Sequence, residues 1–117
     1  MFAITVILSL LLAVAFAAAG SPKITGNPQI VSNLRRLRVD NTLIRPIGVL
    51  EVLGAASLVI GLAWAPLGAA AALGLFGLMV GALRYHARAH DAPPALAPPA
   101  LLGLLALAAF VLRIATS

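Results

Sequence analysis

None of the 117 residues is cysteine, which excludes disulfides, thiol redox chemistry, thiolate metal sites and lipoprotein anchoring within this chain. Charge is nearly as scarce. Only 9% of residues are Asp, Glu, Lys or Arg, too few to clothe a soluble domain of this length. What the chain has instead is apolar bulk, with 62% hydrophobic residues and a mean hydropathy of +1.10. These values describe an all-α integral membrane protein. A net charge of +5 would point to nucleic acid in a polar chain. Here the basic residues sit between apolar runs, so they set membrane orientation and meet anionic lipid, and no nucleic-acid partner is expected.

A helix crosses roughly 30 Å of hydrocarbon with about 20 apolar residues. Four segments of a single domain, 1–117, fit that requirement: 2–19, 43–63, 66–86 and 98–114, the last being the shortest. The first lacks a preceding Lys or Arg and is long for a signal-peptide core, so it is expected to stay as a helix despite the small-residue stretch "AFAAAGS". Between the first two spans, Asn27 can cap and Pro28 suits a first helical position. Ile30, Val31, Leu34 and Leu37 then share one face, while Arg35, Arg36 and Arg38 do not. This spacing predicts a short amphipathic interfacial helix over 28–38. "AWAP" makes a tight turn between the second and third spans, with Trp64 as an interface anchor, and "RYHARAHDAPPALAPP" is a proline-rich connection.

Short connections make successive spans antiparallel neighbours in a compact four-helix bundle. Lys23, Arg35, Arg36, Arg38, Arg45, Arg84 and Arg88 flank one side of the membrane against Arg113 on the other. The positive-inside rule then places both long connections in the cytoplasm and both termini outside. Small residues let helices approach in lipid, so Ala70, Gly74, Gly77 and Gly81 form a predicted packing stripe on the third span. Its partner is either another span of the bundle or a second copy in a homodimer. Gly48, Gly54 and Gly61 offer a less regular set on the second span.

Glu51 is the one acidic residue inside a span. It lies roughly 12 Å along the helix from the basic end, where an unpaired charge costs several kcal/mol. Neutralisation by protonation or by a basic partner is therefore expected. Lys23, Arg45, Arg84 and His86 all fall at the same end of the bundle. An intramembrane polar site of Glu51, Lys23, Arg84 and His86 has two readings: a pocket for a ligand, proton or partner, or a buried ion pair that fixes helix register. His86 and His90 are four apart, but no third ligand of a suitable type is near in sequence, so two interfacial histidines are the simpler reading. No nucleophile-and-base pair, phosphate loop or zinc motif occurs. Neither catalysis by the chain alone nor a cofactor is expected.

"GSPKITG", "RPIGVLEVLGAASLVIGL", "YHARAHDAPP" and "FVLRIATS", in this order along nearly the whole chain, resemble the DoxX-like family of small bacterial membrane proteins. The order also resembles NACHO, a eukaryotic chaperone for nicotinic receptor assembly. Gly48, Glu51 and Gly54 carry most of the likeness, with Lys23, the His86 to Asp91 spacing and Arg113 in support. The resemblance implies a four-helix bundle in the bacterial cytoplasmic membrane. It further implies a non-enzymatic accessory subunit or assembly factor that binds a membrane-protein client. The alternative it implies is a quinone- or lipid-binding subunit of an oxidoreductase complex.

Overall fold

The first helix, α1 (Phe2–Thr25), buries Thr5, Ser9, Leu12, Ala13, Phe16 and Gly20. That spacing traces one stripe at the 3.6-residue period, so a helix apolar all round still turns a defined face inward. The computed structural model describes residues 2–37, 39, 41–89 and 93–116. Within them the protein is all-helical, with α2 (Pro28–Arg36), α3 (Asn41–Ile60), α4 (Ala65–Arg88) and α5 (Pro93–Ala115) following α1. Four of the five helices are long and apolar enough to cross a membrane. The bundle is 41 Å along its longest axis, enough to cover about 30 Å of hydrocarbon and enter the headgroup layers.

Two helices, α1 and α5, run five or more residues further than the sequence suggests, and α3 and α4 gain one or two at an end. α1 continues past residue 19 through Pro22 to Thr25; Pro22 keeps a helical φ there but forfeits the N–H bond to the carbonyl four residues earlier. The helix stops at Gly26, whose φ of +75° is left-handed. The Asn27 N–H donates to the Pro22 carbonyl at 2.9 Å, which closes a Schellman turn. The Asn27 side chain then accepts from Gln29 and Ile30 N–H groups at 3.0 and 3.4 Å and opens α2 over Pro28. α5 begins at Pro93 and carries Pro98 and Pro99 inside it, so the tandem prolines continue a helix rather than start one. α3 ends at Ile60, three residues earlier than expected, and 61–63 form the turn into α4.

α1 lies along α3 and α4 along α5, while α1 also meets α5 and the α3–α4 seam is sparser. The main core contains Leu12, Phe16, Leu58, Leu75, Met79 and Ala106. A second, smaller cluster of Leu37, Val39 and Ile44 lies at one end, with Val31 and Leu34 of α2 packed on it. The apolar face of α2 thus closes the end of the bundle.

Glycines set the closest approaches. A Cβ on Gly20 would lie 2.6 Å from the Gly48 carbonyl oxygen, and one on Gly48 would lie 2.7 Å from the Gly20 oxygen. Gly61 and Gly68 bring the backbones of α3 and α4 together in the same way at their turn, and Gly54 accepts the Leu75 side chain. On the predicted α4 stripe, a Cβ on Gly74, Gly77 or Gly81 would meet nothing within 4 Å. No helix of the single chain therefore covers these three glycines, which leaves, of the two partners expected for them, the second copy. Regular spacing makes a helix smooth without deciding which neighbour covers it.

Candidate functional site: a cavity beside the Glu51–Lys23 pair

The close approach of α1 to α3 positions the charged pair. Gly48 on α3 faces the Cβ of Lys23, and Gly20 on α1 faces the Cβ of Glu51. Each charged residue therefore rests against the other helix's glycine. From there the Lys23 Nζ reaches Glu51 Oε1, forming an ion pair. Glu51 is 1% exposed, and Lys23 retains 17% side-chain exposure. A lysine stem lying along apolar surface with its ammonium near the polar layer is the usual compromise for this residue.

The pair uses only half of the carboxylate. Oε2 of Glu51 is buried and has no hydrogen-bond partner, the one such side-chain atom among the described residues. Leaving a buried polar atom unsatisfied costs about 1–3 kcal/mol, and more for a charged group. Such an atom in a native fold calls for a specific reason.

Glu51 and Lys23 line a cavity of about 220 Å³. α2 roofs it with Ile30, Asn33 and Leu34, while α4 supplies Met79, Tyr85 and His86. The walls are mostly apolar, with Lys23, Asn33, Glu51, Tyr85 and His86 as the polar lining, and a largely apolar wall with a few polar groups is the usual composition of a small-molecule site. This volume is below the roughly 300–1,000 Å³ of a drug-sized pocket. It suits a head group or a single ring, not a whole lipid. A carboxylate with one oxygen held by an ammonium can accept a hydrogen bond from a guest O–H or N–H at the other.

Of the predicted site residues, Glu51, Lys23 and His86 share this cavity, whereas Arg84 is exposed and does not line it. Arg84 and His86 are two apart, and residues at that spacing do not share a helix face. Arg45, also a candidate partner, is exposed on α3. Gly48 lies directly under the pair, and Gly54 lies one turn deeper against Leu75. Gly74 and Gly77 instead line a shallow groove on the outer α3–α4 seam, together with Ser57 and Ala70. The paired histidine reading includes His90, which lies outside the described residues, as does Asp91. Among the described residues no cluster of three or more His, Cys, Asp or Glu side chains occurs.

Sequence reasoning missed Gly20, Asn33 and Tyr85. The lone signal for Gly20 was its place three residues before Lys23, the same interval that separates Gly48 from Glu51. A DoxX-like family profile matches residues 7–109. The chain belongs to the DoxX-like family. The match spans Lys23, Glu51 and His86 and so includes the cavity of this DoxX-like protein. No curated protein and no solved structure matches it.

Proposed function

We propose that this DoxX-like protein is a non-enzymatic binding subunit of the bacterial cytoplasmic membrane, and that its cavity holds the head of a small amphiphile at Glu51. One observation carries the reading: the unpartnered Glu51 Oε2, beside a cavity that α2 roofs. A quinol ring or a lipid hydroxyl has the donor that this oxygen lacks. A quinone oxygen would instead accept from Lys23 or Tyr85. The subunit positions such a guest for a redox-complex partner, and its own residues supply no nucleophile-and-base pair. In this reading both termini lie outside the cytoplasm and α2 lies on the cytoplasmic face, following the excess of basic residues there.

A second reading, an assembly factor that holds a client membrane helix as NACHO does, draws support from a different surface. The α3–α4 groove of about 540 Å³, with Gly54, Ser57, Ala70, Gly74 and Gly77 along it, has the small-residue lining that transmembrane helices pack against.

Purification in mild detergent followed by mass spectrometry of extracted lipids and quinones tests the first reading. Wild-type protein should carry an amphiphile at a fixed ratio. Ala82→Leu, which fills the cavity wall, should lose it while keeping full helicity by circular dichroism. Equal recovery from the variant, or an amphiphile-free wild type that carries a membrane-protein client, would replace this reading with the second.

A further inference from the structure

Lys23 faces two spaces, not one. Besides the Glu51 cavity, it lines an open groove of about 870 Å³ on the outer side of α3, together with Arg35 of α2 and Thr42 and Arg45 of α3. Three cations meet there at the end of the membrane spans, and no acidic side chain among the described residues lines the groove. Its other wall is apolar. Val49 and Leu50 continue it along α3 and are 39% and 53% exposed. They follow Arg45 by four and five residues, so they lie roughly 6–8 Å deeper along the helix axis.

We infer that this groove seats the phosphate of an anionic phospholipid, with its acyl chains running down Val49 and Leu50. The charge pattern selects the head: arginine guanidinium groups grip phosphate oxygens with paired N–H donors, and lysine adds a mobile point charge. Exposed apolar side chains directly below the cations select a lipid over a soluble phosphate, which has nothing to lay against them. Gly26 opens the top of the groove, since a Cβ there would meet nothing within 4 Å.

The groove and the cavity share Lys23, so their occupants are linked. A lipid phosphate draws the ammonium outward, which weakens its hold on Glu51 Oε1 and leaves the carboxylate with more accepting capacity toward the cavity. The linkage is reciprocal, so a cavity guest shifts lipid affinity by the same factor, but the groove is present whether or not the cavity is filled.

The test is native mass spectrometry of the full chain in detergent, titrated with phosphatidylglycerol and phosphatidylcholine of identical chains. Wild type should retain phosphatidylglycerol preferentially. Arg35→Gln and Arg45→Gln should each lower that retention roughly fivefold, the effect of one basic residue near an anionic surface. Both residues are exposed, so the variants should keep wild-type helicity, and Arg45→Lys, which keeps the charge but not the paired donors, should retain binding between that of wild type and Arg45→Gln. Arg84 and Arg88 lie at the same end but outside the groove, so the double variant R84Q/R88Q should bind as wild type does. An equal loss in that control would mean a diffuse field without a site. Displacement of the lipid by millimolar inorganic phosphate would make it a soluble-anion site. Either result overturns the proposal.

Discussion

The two ends of this bundle each bury one charge, and they treat it oppositely. At the turn between α3 and α4, Arg113 of α5 is 7% exposed and almost fully engaged. Its Nε donates to the Gly61 carbonyl at 2.9 Å and its second terminal nitrogen to the Leu62 carbonyl at 3.4 Å. Another N–H meets the Thr116 hydroxyl at 3.2 Å, and the guanidinium lies 5.6 Å from the Phe2 ring centroid. A cation just past the carbonyl end of α3 satisfies acceptors that the turn leaves over, and the helix dipole favours it there. At the other end, Glu51 has one partner, one unpartnered oxygen and a cavity. A charge consumed by backbone groups reads as a clasp. A charge with capacity left over, beside a space that can be entered, reads as a site.

The most severe way to break this contrast is Lys23→Ala. It strands Glu51 and should lower stability by about 3 kcal/mol, the low end of the range for one member of a buried pair, because Lys23 keeps 17% exposure. Adding Glu51→Gln should restore part of that loss, and chemical denaturation in detergent reads both steps. Strictly additive losses would mean that the two side chains do not depend on each other.

Arg113→Met should cost somewhat less, about 2 kcal/mol, since it removes charge-assisted hydrogen bonds but leaves carbonyls that the turn can partly re-solvate. Amphiphile recovered per folded molecule should stay at the wild-type value. A drop would show that the clasp also shapes the cavity.

Gly48→Ala sharpens the comparison at the level of backbone. The added methyl would lie 2.7 Å from both the Gly20 oxygen and the Lys23 Cβ, so α1 must move away from α3. A loss of about 1–3 kcal/mol is typical of such overpacking. It should be accompanied by weaker coupling between Lys23 and Glu51 in the same double-mutant cycle.

The smallest effect belongs to Gly77→Leu. Its added side chain points into open space in the single chain, so stability should change by no more than about 0.5 kcal/mol. If cross-linking instead shows a wild-type dimer that the variant loses, the stripe packs against a second copy.

Much of the architecture was legible because it follows from strong, local terms. Long apolar runs mark the spans, and Asn27-Pro28 marks a helix start, since the cap and the proline act within a few residues of themselves. The depth of Glu51 pointed to a basic partner at its own end, and Lys23 was among the few in reach. What stayed hidden depends on which faces meet. Pro22, Pro98 and Pro99 suggest boundaries, yet all three lie inside helices once tertiary packing holds the chain. The regular glycines of α4 face outward, while the closest backbone contact uses Gly20 and Gly48, single glycines on two different helices. Arg113 gave a count toward orientation, but its carbonyl partners at Gly61 and Leu62 are about fifty positions away in sequence and no local pattern announces them.

The crossed arrangement of Lys23 over Gly48 and Glu51 over Gly20 has a consequence for biogenesis. Chains are made from the N-terminus, so the span that carries Lys23 reaches the membrane before the one that carries Glu51. α1 is also the more apolar of the two, with a mean hydropathy of 2.6 over its best window against 1.9 for α3. It can enter the lipid on its own strength, and its glycine face then waits for the second span. α3 brings a carboxylate whose solitary transfer is costly, and that penalty falls when the segment leaves the insertion machinery along the waiting α1. The ion pair thus acts as an order of assembly written into the chain: the helix that can insert alone comes first, and it carries the counter-charge for the helix that cannot.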